Sequence, residues 1–404
     1  MEKRLKVALI GNMNNVFFTL MRYLRDLGLD AHLLMYKNEY PHFLPENDTY
    51  HLEKYEPYIH TLPLTNDGKG LILSDKSEIK NILKEYDIYI GCGIAPALFE
   101  SIGYVLDIFV PYADEIELTT YDKLSDVGLL RYFVRRYTVS QQLKGIKKIK
   151  KIVASDIQEK TKKTIKRLNL ESQLSRLYIP TVYTGDVGVK DELNSEYVEA
   201  MRDKDLVVFS HSRHQWKDID EEESRKNGDK GLDKLIIGFA NFIKENPNSN
   251  SLLVLFEYGK DIDASKELIA NLGIEDFVMW LPLMPRKRIM NLIEYAHIVV
   301  DSLTDDMWSG VGFEGLSAGK ILMQNILQTD EEYYQEAGHE IPFILRANTP
   351  DDVTKHLNDF MQNRDRYIKE GEKNRDWFNR YAGIGLAKEY KKIIDEIAVE
   401  ELKV

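Results

Sequence analysis

Residues 7–36 run VALIGNMNNVFFTLMRYLRDLGLDAHLLMY. Val7 to Ile10 form an apolar run closed by Gly11-Asn12, the pattern of a short buried strand. Phe17, Leu20, Met21, Leu24 and Leu27 then recur at three- and four-residue spacing, a helix that Gly28 ends as a C-cap. Ala31 to Tyr36 reads as a second strand. A strand, a helix and a strand in such close succession imply a parallel sheet with a right-handed crossover.

Working outward, residues 37–74 carry Pro41, Pro45, Pro57 and Pro63 among many aromatics and read as a long irregular excursion. The alternation resumes with a helix near 75–85, a strand at 87–91 and a helix near 94–102. Further strands are expected at 106–111 and 151–154. A second series starts near 205, with strands at 206–210, 252–256, 278–281, 298–301 and 321–324. Helices at 232–244, 264–272, 285–295 and 310–318 lie between them, and helices follow from about 350. Two such series predict an α/β protein of two tandem, doubly wound, Rossmann-like domains, 1–200 and 205–385, facing a cleft. Ligands of such sheets bind beyond the carboxyl ends of the strands, so functional residues are sought just after strands.

The chain has 404 residues, 54 Lys and Arg against 66 Asp and Glu, and a net charge of −12. That length suits two or three domains of roughly 150 residues. The acidic balance argues against nucleic acid as a partner. The single cysteine, Cys92, excludes an internal disulfide and gives no sign of secretion. Set between Gly91 and Gly93 without a histidine partner nearby, it reads as a small buried residue rather than a nucleophile. No apolar run reaches the ~18–20 residues of a membrane span.

After the strand ending near Asp301 come Ser302-Leu-Thr-Asp-Asp306-Met-Trp-Ser309-Gly310-Val311-Gly312-Phe-Glu314. Free amides at a helix start bind anions, and Gly310 and Gly312 let a phosphate approach. Asp306 and Glu314, separated by seven residues, can each accept hydrogen bonds from sugar or ribose hydroxyls. Equally, Asp306 can cap the helix and Glu314 can be a solvated helix residue. After the first strand of the same half, Ser210-His211-Ser212-Arg213 precedes Lys230-Gly231, which opens a helix. Arg as a fork and Lys as a compact charge suit a diphosphate, although either can be a plain surface cation.

Together these residues resemble the retaining, GT-B-fold glycosyltransferases of family 4. The resemblance assigns catalysis to Arg213, Lys230 and Asp306, with Arg213 and Lys230 on the donor diphosphate. It puts Ser212, Ser309, Gly310, Val311, Gly312 and Glu314 around the donor, Met284 near its base, and Gly11-Asn12 in the glycine-rich first loop. It also implies that the last helix, about 386–404, returns to the first domain. Three features depart from the family pattern. Asp306 stands where Glu is usual, a charged insertion separates Arg213 from Lys230, and the His of a first-domain His-Asp pair is absent. Tyr112-Ala113-Asp114 stands at the latter place, leaving Asp114 as an acceptor-side candidate.

The implied reaction moves a sugar, with retention, from a UDP- or GDP-linked donor to a hydroxyl of a glycan, glycolipid or lipid-linked acceptor. It needs no cofactor and no metal, and no His/Cys cluster has zinc spacing. A nucleotide-sugar epimerase and a catalytically silent sugar-nucleotide-binding subunit are the alternatives. From Arg131 to Lys151 there is no acidic residue. Arg135, Arg136, Lys144, Lys147, Lys148 and Lys151 are read as a basic helical face that docks on an anionic membrane, or else as a solvated face. The expected location is the cytoplasm, peripheral at the inner face of the membrane.

Overall fold

The computed structural model describes residues 4–112, 116, 128–154, 159–179, 181–186, 188–217, 228–304 and 308–401. The chain forms two compact units, residues 1–183 with 381–404, and 184–380.

Unit 1 contains β1 (Lys6–Ile10), α1 (Val16–Asp26), β2 (Asp30–Met35), β3 (Ile59–Thr61), α2 (Gly68–Leu73), α3 (Lys76–Leu83), β4 (Ile88–Gly91), α4 (Ala95–Ile102), β5 (Ile108–Phe109), α5 (Leu129–Ile146), β6 (Lys151–Val153), α6 (Glu159–Leu168) and β7 (Leu174–Ser175). Unit 2 contains α7 (Ser195–Arg202), β8 (Leu206–Ser210), α8 (Leu232–Glu245), β9 (Ser251–Phe256), α9 (Ile262–Leu272), β10 (Val278–Leu281), α10 (Arg286–Ile293), β11 (Ile298–Val300), α11 (Gly310–Ser317), β12 (Ile321–Gln324), α12 (Asp330–Ala337), β13 (Ile344–Arg346), α13 (Pro350–Gln362) and α14 (Arg364–Tyr381). The last helix, α15 (Ile384–Glu401), belongs to unit 1.

Among the described residues, the strand order is β3-β2-β1-β4-β5-β6-β7 in unit 1 and β10-β9-β8-β11-β12-β13 in unit 2. Every pairing is parallel. Strand order reverses between β1 and β4 in the first sheet and between β8 and β11 in the second, and these switch points open a crevice at the strand carboxyl ends. Both faces of each sheet are covered, so the central strands are apolar throughout rather than alternating; β8 and β9 are buried along their whole length. Leu386, Tyr390 and Ile394 of α15 join Phe17, Leu20 and Leu24 of α1 in one core cluster of unit 1.

Three expectations need correction. Residues 37–74 are not wholly irregular: β3 adds a parallel edge strand and α2 a short helix. Residues 184–200, assigned above to the first domain, belong to the second. There Asn194 Nδ2 donates to the Arg288 carbonyl (3.0 Å) and to Asn291 (2.8 Å), while Val198 and Met201 enter the second core. The basic stretch is not one helical face. The chain leaves α5 after Ile146 to bury Ile149 and Ile152, and Lys151 opens β6.

Candidate active site

The candidate site of unit 2 is built at the carboxyl ends of β8 and β11. Beyond β8, the segment His211–Trp216 is pinned to α9. The backbone amides of Trp216 and Lys217 donate to Asp261 Oδ2 at 2.8 and 2.9 Å. Trp216 Nε1 donates to Ser265 Oγ (2.8 Å), and that hydroxyl shares a hydrogen bond with His214 Nδ1 (2.8 Å). Burial pushes the His214 pKa down to about 4, which keeps the ring neutral near pH 7. Arg213 thus belongs to a segment tied to the start of α9. Asp261-Ile262-Asp263 is accounted for by this structural role.

Lys230 is placed by its neighbours. Its carbonyl accepts from the Leu303 amide (3.0 Å), and Lys234 Nζ ties to Leu303 O and Thr304 Oγ1 at 3.1 Å each. Gly231 has a left-handed φ of +65°, and a Cβ there would lie 2.8 Å from Thr304 Oγ1. Only glycine fits where this helix start touches the loop after β11.

Asp301 ends β11 and is fully buried. Ser309, the N-cap residue of α11, donates its hydroxyl to Asp301 Oδ2 at 2.5 Å and makes no capping bond to the helix. Ser309 therefore does not cap the first-turn amides of α11, of which that of Gly312 faces Asp301 instead; a helix start of this kind suits an anion. Burial raises the Asp301 carboxyl above its ordinary value, opposed in part by Lys230, Ser309, His211 and the Gly312 amide. Glu314, one turn further along α11, is 4 % exposed. Its Oε2 lies 2.7 Å from His211 Nε2, and its Oε1 lies 3.9 Å from Arg286 Nη1. The helix itself is seated close: a Cβ on Gly315 would meet Val299 at 2.9–3.2 Å. Trp308 stacks on Phe313 and Trp377 just ahead of α11.

The structure thus gathers Lys230, Ser309, Gly312 and Glu314 of the sequence-derived set around the start of α11. Ser212 and Arg213 come from the same strand end as His211, and Ser212 is buried. Met284 and Val311 pack at the edge of a core cluster. Gly310 has open space around its Cβ position. Asp306, Asp114 and the charged insertion lie outside the described residues. His211, Arg286 and Asp301 were missed. A short segment after a strand was the signal for His211 and Asp301, but nothing in sequence spacing ties either to Glu314 or Lys230.

Gly11 and Asn12 lie in unit 1. Asn12 is buried with its side chain engaged: Nδ2 donates to Asn15 Oδ1 (2.8 Å) and to the Phe43 carbonyl (2.6 Å), and Oδ1 accepts from the Phe18 amide (2.9 Å). Asn12 therefore caps α1, across Asn14 and Asn15 in the left-handed region. Glu39 Oε1 accepts from the Asn12 amide at 3.1 Å, and burial raises this carboxyl. Glu39 is a described carboxylate at this switch point that the sequence reading did not select. Among the described residues, no three His, Cys, Asp or Glu side chains group to hold a metal ion, and no helix is long and apolar enough to cross a membrane.

No protein-family profile matches the chain, and no curated protein matches its sequence. Solved structures do. HepE of Anabaena in complex with UDP-glucose aligns over 98% of this chain and 100% of its own, at 12% identity and TM-score 0.60. A glycosyltransferase from Rickettsia africae aligns over 99% of both chains at 15% identity and TM-score 0.61. WaaG, a glycosyltransferase involved in lipopolysaccharide biosynthesis, aligns over 96% of this chain and 99% of its own at 14% identity and TM-score 0.52. The fold is GT-B. In GT-B terms, β8 and β11 are the switch-point strands of the C-terminal Rossmann-like half, and the cluster around α11 sits where that architecture places ligands.

Proposed function

We propose that the chain is a retaining glycosyltransferase that moves a sugar from a nucleotide-diphospho-sugar to a hydroxyl of a glycan, glycolipid or lipid-linked acceptor. The carrying observation is the cluster at the start of α11. At the GT-B switch point the start of α11 lies with Lys230 near Asp301, and the buried carboxylate Glu314 one turn further on lies beside His211 and Arg286. A diphosphate needs such a positive field, and a ribose needs a carboxylate that accepts from two hydroxyls. His211 and Arg286 hold Glu314 in one orientation for that purpose. The UDP-glucose bound by HepE supports a uridine donor.

In this reading Arg213 and Lys230 stabilise the charge growing on the leaving diphosphate. Asp306 contacts the donor sugar. The acceptor attacks from the leaving-group face through an oxocarbenium-like state, and the departing phosphate oxygen takes its proton. Arg213, Lys230 and the α11 amides supply the positive charge, so the reaction requires no added metal, and EDTA leaves the rate unchanged. A rate abolished by EDTA and restored by a divalent cation refutes that part.

Unit 1 is assigned the acceptor and the membrane. On α5, Leu129, Leu130 and Phe133 are 61, 75 and 60 % exposed beside Arg131, Arg135 and Arg136. Apolar tips beside arginines suit the interface of an anionic bilayer, each cation adding about 1 kcal/mol. Lys144, Lys147 and Lys148 extend the charge, with Lys148 paired to Glu100 (2.6 Å). WaaG's part in lipopolysaccharide biosynthesis supports a lipid-linked acceptor.

The test is a transfer assay over UDP-, GDP-, ADP- and CMP-sugars, with Glu314→Ala and Lys230→Ala as controls and the product anomer read by NMR. Transfer with retention, lost in both variants, is expected. Free epimer formed without acceptor supports an epimerase instead, and tight binding without turnover supports a silent subunit.

A further inference from the structure

Two anions compete for one positive field in unit 2. The start of α11 is read above as the seat of the donor diphosphate, and the inference here rests on that reading. Asp301 already occupies the rear of the same field. Its Oδ2 accepts from Ser309 at the N-cap position and lies 3.4 Å from where a Gly312 Cβ would be, against the first turn of the helix. Lys230 and His211 both stabilise its charge. Its other oxygen, Oδ1, is buried without a hydrogen-bond partner among the described residues.

We propose that Asp301 is a proton-linked counter-anion of the donor site, taking up a proton as the diphosphate binds and returning it to solvent when the nucleotide leaves. The incoming diphosphate draws on Lys230 and the α11 amides, the same groups that hold Asp301 ionised. A second anion nearby also disfavours the charged carboxylate directly. Protonation removes the repulsion, and it places the proton on a carboxyl group whose Oδ1 has no donor to satisfy it. Burial has already moved this carboxyl toward its neutral form.

The groups facing Asp301 are Lys230 from the start of α8, Ser309 and the Gly312 amide from α11, and His211 from the end of β8, itself paired with Glu314. Gln324 of β12 lies behind Gly312. His211 is the other member of this set with an imidazole that can hold a proton, so the experiment has to separate the two. Asp301 is a positioning residue here, since it acts on the diphosphate through Lys230 and the helix start.

The probe is UDP-glucose, whose esterified diphosphate does not titrate in the neutral range. Isothermal titration in two buffers of different ionisation enthalpy counts protons on binding. Wild-type protein is expected to take up a fraction of a proton approaching about one, with affinity falling as pH rises by at most about tenfold per unit. His211→Gln retains an uptake. Asp301→Asn loses it, and the ratio of Asp301→Asn to wild-type affinity grows with pH. A pH-independent ratio, or equal uptake in Asp301→Asn, overturns the proposal. If Asn is not tolerated, absence of uptake in His211→Gln overturns it as well. Failure of UDP-, GDP- and ADP-glucose to bind the wild type removes the donor-site reading itself, an outcome distinct from binding without proton uptake.

Discussion

At Gly11 one missing atom decides the local structure. Its φ is +89°, and a Cβ would lie 2.7 Å from Cys92 Sγ and 3.0 Å from the Tyr36 ring. Gly11→Ala should cost about 2–4 kcal/mol from left-handed strain plus overlap. Adding Cys92→Ala removes the sulfur and should recover part of that loss. Urea denaturation of the single and double variants measures both, and full additivity would refute the contact. Asp301 makes an opposite prediction for stability. Burial raises its folded-state pKa above the ordinary carboxylate value of 3.8, so the native state binds more protons than the unfolded chain over the pH range that separates them. Stability is therefore lost as pH rises through that window. Asp301→Asn should raise the neutral-pH melting temperature by about 2–5 °C, a gap that closes in acid. A lower melting temperature, or a gap unchanged by acid, contradicts this. Such single-residue facts were only half legible. Gly11 stood out as a strand-end glycine, but its neighbour Cys92 is 81 positions away.

At the scale of elements, two glycines set how closely helices sit. A Cβ on Gly145 of α5 would come within 2.1 Å of the Pro96 carbonyl oxygen of α4, and backbone cannot move aside as a side chain can. Gly315 of α11 instead faces the Val299 side chain of β11. Both alanine variants should destabilise, by about 1–3 kcal/mol for Gly315 and more for Gly145. Val299→Ala should rescue Gly315→Ala, and no apolar truncation nearby should rescue Gly145→Ala. Thermal melts of the variants decide, and a neutral Gly145→Ala would show that α4 and α5 are less tightly packed. The long, periodic helices and apolar strands could be read from the chain because periodicity of 3.6 or 2 is a local property. Short β3 could not. Its exposed His60 and Thr61 carry no strand pattern, and pairing with β2 alone makes it a strand.

At the scale of the whole molecule, α15 joins a unit whose other elements end about two hundred residues earlier. Leu386, Tyr390, Ile394 and Ile397 are 3 % exposed or less. Burial of four such side chains contributes about 6–12 kcal/mol, comparable with the entire stability of a domain. A chain stopped after Tyr381 should therefore lose the fold of unit 1 and keep that of unit 2. Limited proteolysis reads this as degradation of residues 1–183 with a surviving fragment near 184–380. Equal resistance of both units would refute it.

Alternating apolar strands and amphipathic helices were determined by the sequence alone, and with them two doubly wound halves and the strand ends where ligands bind. Those features follow from side-chain pattern within a dozen residues. What only the tertiary structure decided is which polar groups meet: His211 with Glu314 across about a hundred positions, Asp301 with Lys230 and Ser309, Asn12 with Phe18 and Phe43. A buried charge or amide takes whatever partner the packed sheets bring within about 3 Å, and spacing along the chain holds no record of that distance.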